Sequence, residues 1–186
     1  MNKTFVLFFC LILLTGCGES NIYREYECSF TFDTTLHPLP CHLTAILGNP
    51  GHYVKVETNT IQGIRHLKTI RNYDNESEDI PITTQKETQL KYALGANNCI
   101  IVGTSRYGNR YGNGLLAYEG QCANCLSELG GTRYPMTWQN NGTQLYCAKC
   151  KRTYDVDNGQ VVNGTPGKQL YMYKASFEQG ILRVWN

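Results

Sequence analysis

The chain lacks an apolar stretch long enough to cross a membrane as a helix. Its longest apolar run, Phe5–Leu14, has ten residues, whereas about 20 are needed to span the hydrocarbon core of a bilayer. It also lacks a block of like-charged residues. Its 17 Lys and Arg nearly balance its 15 Asp and Glu, which gives a formal charge of +2. A long basic stripe for nucleic acid is therefore excluded, and we expect no nucleic-acid partner.

The signatures of several enzyme classes are missing as well. Neither Gly-x-Ser-x-Gly nor His-Glu-x-x-His occurs, and the glycine-rich segment 103–114 lacks the Gly-Lys-Ser/Thr ending of a P-loop. No histidine follows His66. We therefore expect a protein that is not an enzyme, unless a redox cofactor makes it an electron carrier.

The N-terminus has the features of an export signal. Lys3 provides a basic start, Phe5–Leu14 an apolar core, and Thr15-Gly16 two small residues directly before Cys17. This order resembles the lipobox of bacterial lipoproteins, in which cleavage falls before the cysteine and that cysteine is acylated. An ordinary signal peptide followed by a chance cysteine is the alternative.

The lipobox resemblance implies that Cys17 carries a lipid and tethers the protein to a membrane. Buried acyl chains contribute about 0.8 kcal/mol per methylene, and several chains give a stable anchor. We expect a location in the cell envelope, in the outer membrane facing the periplasm or the surface. The chain then divides into a signal peptide (1–16), a lipidated tether (17–22) and a single domain (23–186).

The pattern of the domain predicts an all-β fold. Tyr, Thr, Gly and Asn are abundant, and short strand-like segments recur along the chain. Tyr23–Asp33 is the first of them, with Leu43–Leu47 as its predicted partner, and Cys99–Thr104 reads as a buried strand. Asp157-Asn158-Gly159 is a strong hairpin turn signal. No helix longer than two turns is expected.

Seven cysteines remain for the exported domain after Cys10 leaves with the signal and Cys17 is acylated. Cys28 and Cys41 flank a proline-rich turn, and we expect a disulfide between them in an oxidising compartment. Two unpaired, buried side chains are the alternative there. Cys99 lies in an apolar stretch and is predicted to be a core residue.

The other four cysteines form two Cys-x-x-Cys units separated by 21 residues. Two residues between ligands let one tight turn aim both sulfurs at a single point, and two such turns build a tetrahedral thiolate site. Four thiolates select Zn or iron–sulfur chemistry over hard cations. Two disulfides, or a thiol–disulfide exchange site, are the alternatives. The predicted ligands are Cys122, Cys125, Cys147 and Cys150.

Several stretches of the C-terminal half match the pattern of one known family. They are Gly112–Tyr118, the two Cys-x-x-Cys units, Thr153–Asp155, Gly159, Asn163–Gly167 and Leu170–Tyr173. With these stretches the C-terminal half resembles a Rieske-like iron–sulfur domain, and a group of lipobox-bearing, Rieske-like lipoproteins of Gram-negative bacteria is similar over nearly the whole exported chain. The resemblance implies a β-sandwich with an apical, two-knuckle subdomain like that of rubredoxin or a zinc ribbon, at about 120–155.

The ligand set departs from the Rieske pattern. Rieske centres place two histidines on one iron, whereas Cys125 and Cys150 stand at the corresponding positions here. A four-thiolate [2Fe–2S] cluster still fits the ligand count, but clusters are normally built in the cytoplasm. Folded export uses a twin-Arg signal, and Lys3 is the only basic residue before the apolar run. Zn can bind after translocation, so we expect structural Zn in an envelope lipoprotein that acts as a binding or assembly component for a protein partner.

Overall fold

The computed structural model describes residues 22–108 and 114–186. The predicted signal peptide (1–16) and the predicted lipidation site, Cys17, lie outside the described residues. No helix in the described ranges is both long and apolar enough to cross a membrane.

Short antiparallel strands are the main regular element of the described chain, with a few single-turn helices and one longer helix between them. The strands are β1 (Cys28–Asp33), β2 (Tyr53–Ile61), β3 (Ile64–Arg71), β4 (Ser77–Pro81), β5 (Ala93–Leu94), β6 (Cys99–Thr104), β7 (Leu115–Glu119), β8 (Met136–Gln139), β9 (Gln144–Cys147), β10 (Thr153–Asp155), β11 (Val161–Asn163), β12 (Met172–Glu178) and β13 (Ile181–Trp185). The helices are α1 (His42–Ala45), α2 (Gln85–Thr88) and α3 (Ala123–Leu129).

Two antiparallel sheets contain these strands. The long sheet has the order β4-β3-β2-β6-β7-β12-β13-β1-β5, and the small sheet has the order β11-β10-β9-β8. Strand β12 joins the two halves of the long sheet, because Met172 and Tyr173 pair with β7 while Lys174–Glu178 pair with β13. The predicted all-β class is confirmed.

A first hydrophobic core lies between the two halves of the long sheet. Phe30 and Phe32 of β1 and Val184 of β13 share this core with Val54 of β2 and Val102 of β6. Since strands from both halves bury side chains in one cluster, the long sheet folds back on itself around them.

A second core lies on the opposite face of the long sheet, where the small sheet packs. Side chains alternate along β6, so that Ile100 and Val102 enter the first core and Ile101 enters the second. Leu116 and Tyr118 of β7 join Ile101 there. Strand β6 is therefore buried on both faces, as its apolar sequence predicts.

The segment predicted to pair with the first strand is instead the helix α1. His42 and Leu43 are buried within the helix, and Ile46, which directly follows it, is buried three residues after Leu43; this is the spacing of one helical face rather than of a strand. The Thr44 hydroxyl stabilises the first turn of the helix, because it accepts a hydrogen bond from the Cys41 amide at 3.0 Å and donates one to the Cys41 carbonyl at 2.9 Å. The partners of β1 are β13 and β5.

The predicted hairpin turn joins β10 to β11, as expected. Asp155 accepts hydrogen bonds from the amides of Asp157 and Asn158 at 2.9 and 3.2 Å. Gly159 has a positive φ of 71°, which favours glycine at this position. The turn thereby carries the Asp157 side chain back toward the long sheet.

Asp157 ties the small sheet to the long one. Its side chain is fully buried and accepts from the Tyr53 hydroxyl at 2.8 Å. It also accepts from the Arg106 amide at 3.0 Å and from the Arg106 guanidinium at 2.6 Å. Burial alone raises the pKa of Asp157, but these hydrogen bonds outweigh it and leave the pKa below its usual value.

We predict that Asp157→Asn lowers the free energy of unfolding by about 2–3 kcal/mol at neutral pH, because amide hydrogens then face the Arg106 donors. The folded-state pKa is lowered, so the stabilisation is present above about pH 4 and is lost as the pH falls through that lowered value. Urea unfolding at neutral and acidic pH measures both effects.

Asp79→Asn is the matched control, because Asp79 is exposed and its change should stay within about 0.5 kcal/mol. An equal loss in the two variants would contradict the role assigned to Asp157.

Candidate metal centre

The first Cys-x-x-Cys unit lies where β7 ends and α3 begins. Cys122 caps the helix, with its carbonyl accepting from the Leu126 amide at 3.0 Å. The Cys122 amide donates to the Tyr134 carbonyl at 2.9 Å, which holds this loop against the segment before β8. Cys125 then lies in the first turn of α3, and both cysteines are completely buried.

The second unit forms the turn between β9 and β10. The Cys147 amide donates to the Arg152 carbonyl at 3.0 Å, and the Lys151 amide donates to the Cys147 carbonyl at 2.9 Å. Lys151 has a positive φ of 61°, and this tight reversal brings Cys150 back beside Cys147. Cys147 is buried and Cys150 is half-buried.

The four sulfurs converge on one point. All four Sγ atoms lie within 4.8 Å of one another. Cys122 Sγ is 3.5 Å from Cys150 Sγ, and Cys125 Sγ is 3.7 Å from Cys147 Sγ. A tetrahedral ion with metal–sulfur bonds of about 2.3 Å requires sulfur–sulfur edges of about 3.8 Å, whereas a disulfide requires about 2.05 Å. The predicted ligands are thus brought together as free thiols that can hold a metal ion.

A hydrogen-bond chain that the sequence did not predict fixes one of these sulfurs. Asn124 is held in one orientation, because its Oδ1 accepts from the Lys168 amide and its Nδ2 donates to the Lys168 carbonyl, both at 2.8 Å. The same Nδ2 donates to the Tyr154 hydroxyl oxygen at 2.7 Å. The Tyr154 proton is thereby directed to Cys122 Sγ, 3.1 Å away.

The packing around Asn124 leaves no room for a side chain at Gly167. A Cβ atom there would lie 2.2 Å from Asn124 Oδ1. The glycine in this loop therefore permits the close approach that orients Asn124.

The cysteines of the cluster shift one another's pKa values. A hydrogen bond from Cys122 and the amides of Cys150 and Lys149 lower the pKa of Cys147 to about 5. Sharing that hydrogen bond raises the pKa of Cys122, and burial raises the pKa of Cys125 to about 12. Coordination would deprotonate the remaining thiols, so metal affinity should increase with pH.

The other three cysteines of the described residues lie apart from this cluster. Cys28 and Cys41 are free in the structure, so the expected bridge between them is not formed. Cys28 is buried in the first core, and burial raises the pKa of its thiol to about 12. Cys99 is 4% exposed, in agreement with its prediction as a buried residue.

The prediction of strands and turns in this region is wrong for Ala123–Leu129, which form helix α3. Its buried residues, Ala123 to Leu126, are consecutive and give no helical periodicity that sequence could reveal. Cys122 at the helix N-terminus is one feature of a thiol–disulfide exchange site. Its complete burial and raised pKa are opposite to what that reaction requires.

We predict that Tyr154→Phe weakens binding of Zn²⁺ by about 10- to 100-fold, because the hydrogen bond that orients and stabilises the Cys122 thiolate is lost. Competition with a chromogenic chelator measures the change.

Tyr146→Phe is the matched control, since Tyr146 is half-buried on the same small sheet and its hydroxyl makes no hydrogen bond with the described residues. Equal affinities of wild type and Tyr154→Phe would contradict a role for this hydroxyl at the site.

A comparison of the chain with models of protein families finds no match, and a comparison with curated proteins finds none either. What the chain does is therefore inferred from its own residues and from the geometry of the site.

Proposed function

We propose that this protein is a lipid-anchored, non-enzymatic protein of the cell envelope, in which one structural Zn²⁺ is held by Cys122, Cys125, Cys147 and Cys150. The observation that carries the proposal is that all four sulfurs lie within 4.8 Å of one another, with two of their separations, 3.5 and 3.7 Å, close to the edge of a tetrahedral zinc site. The Rieske-like resemblance of the fold remains part of this proposal.

The burial of the ligands supports a structural rather than a catalytic ion. Catalytic zinc sites keep one coordination position open for water or substrate, whereas structural sites use four protein ligands. Three of the four sulfur ligands are buried and belong to the second core. Metal binding would then contribute directly to folding, by about 10–16 kcal/mol in small zinc domains.

The compactness of the cluster favours one ion over a [2Fe–2S] centre. In such a centre two irons and two bridging sulfides separate one pair of cysteine ligands from the other. Here all four Sγ atoms lie within 4.8 Å. The absence of a twin-Arg pair near Lys3 supports export of the unfolded chain, and zinc can bind after export.

An electron carrier with a variant [2Fe–2S] cluster is the second candidate. The Tyr154 hydroxyl favours it, because hydrogen bonds to cluster sulfurs adjust the reduction potential.

Elemental analysis and visible absorption of protein purified without a metal-binding tag distinguish these functions. We expect a colourless protein with about one zinc per chain, as a Cys₄ site requires. Cys125→Ser should lose most of this zinc and unfold more easily, because a buried ligand is removed. Cys41→Ser should retain it, because Cys41 lies outside the cluster.

About two irons per chain with visible absorption would instead establish the electron carrier. Neither metal, with no titratable thiols in the unfolded protein, would replace both candidates with a disulfide-stabilised domain.

Attachment to a membrane has its own test. We predict that Cys17→Ala abolishes incorporation of radiolabelled palmitate and releases the protein from the membrane fraction, because the acyl chains that anchor it are missing. Cys10→Ala is the matched control, since Cys10 lies within the apolar run of the signal. Palmitate labelling that persists in Cys17→Ala would disprove the lipobox assignment.

A further inference from the structure

A polar cleft opens between the long sheet and the segment that leads into β8. Its volume is about 410 Å³, within the range of small-molecule sites. The cleft lies beside the metal site, because Gln121 directly precedes Cys122 and Met136 pairs with Cys147. Its lining includes Lys55, Glu57, Cys99, Gln121, Arg133 and Met136.

Lys55 brings a positive charge to the wall of this cleft without a matching ion pair. Its ammonium donates to the Met136 carbonyl and lies 5.4 Å from the centroid of the Trp138 ring. The side chain is half-buried, and no carboxylate of the described residues lies within 4.0 Å of its nitrogen. Burial lowers the pKa of Lys55, because the free energy of its charged form rises when the ammonium is removed from water. A bound anion would offset this cost.

Two further donors line the same cleft. Gln121 is 2% exposed, and its Oε1 accepts from the Tyr134 amide at 2.7 Å. The carboxamide nitrogen of Gln121 makes no hydrogen bond within the described part of the chain. Arg133 is exposed on the loop before β8 and forms no ion pair with the described residues. Lys55, Gln121 and Arg133 together offer the donors that a carboxylate accepts from.

Glu57 adds an acceptor to the same wall. It lies two residues after Lys55 on β2, so both side chains project from the same face of the strand. Its register partner is Cys99, which also lines the cleft. Burial raises the pKa of the Cys99 thiol, so this side chain is a lining group rather than a nucleophile. The Glu57 carboxylate repels a simple anion but accepts from an ammonium or hydroxyl group.

We propose that this cleft binds a small organic acid that carries an amino or hydroxyl group next to its carboxylate. The carboxylate would contact Lys55, Gln121 and Arg133, and the neighbouring donor would contact Glu57. This binding activity goes beyond the structural metal site and does not require a particular metal in it.

Titration of the ¹⁵N-labelled, metal-loaded exported chain with L-alanine, L-lactate and propionate tests the proposal. We expect saturable shifts of the Gln121 and Gly120 amides with L-alanine, L-lactate or both. We also expect binding about tenfold tighter than that of propionate, which lacks the second group. The stronger of the first two probes identifies the amino or the hydroxy acid as the ligand class.

Variants of the cleft residues test whether these acids bind in the cleft. Arg133→Ala should fold normally, because the side chain is exposed, and should weaken binding about tenfold, as should Lys55→Met. Lys91→Met, which removes an exposed lysine outside the cleft lining, should bind like wild type. The proposal is overturned if none of the three acids gives saturable shifts, if propionate binds as tightly as the others, or if Arg133→Ala leaves the affinity unchanged.

Discussion

The constraint on which the C-terminal half depends is the meeting of four cysteine sulfurs at the second hydrophobic core, where they could hold one metal ion. The sulfurs come from two loops, one before α3 and one between β9 and β10. Without a cation, deprotonating more than one of these buried thiols would place like charges within 4.8 Å of one another. A single dication would reverse that repulsion and join the loops into one unit.

The long sheet does not depend on the site in the same way. Its first core contains no ligand cysteine and buries side chains such as Phe30 and Val102 from both halves of the sheet. The small sheet builds the second core together with Ile101 of the long sheet and the cysteines, and the Asp157 hydrogen bonds join it to the long sheet. We therefore expect removal of any bound metal to loosen the small sheet first, and the cleft beside Gln121 with it.

Local patterns in the sequence predicted local structure well. The second Cys-x-x-Cys unit forms a tight turn as predicted, and the buried strand at Cys99–Thr104 and the turn at Asp157–Gly159 follow from short-range chemistry. The first unit instead lies at the start of α3. Features set by tertiary contacts were missed. The partner of β1 depends on distant pairing, α1 is decided by which residues reach the first core, and the orientation of Tyr154 toward Cys122 depends on Asn124 and Lys168.

X-ray absorption at the zinc edge of the purified protein tests most directly whether one ion is bound by all four sulfurs. One structural zinc predicts a first shell of about four sulfurs at about 2.3 Å with no neighbouring metal. A shell with oxygen or nitrogen ligands, or the absence of a zinc edge together with a metal–metal distance at the iron edge, would contradict it.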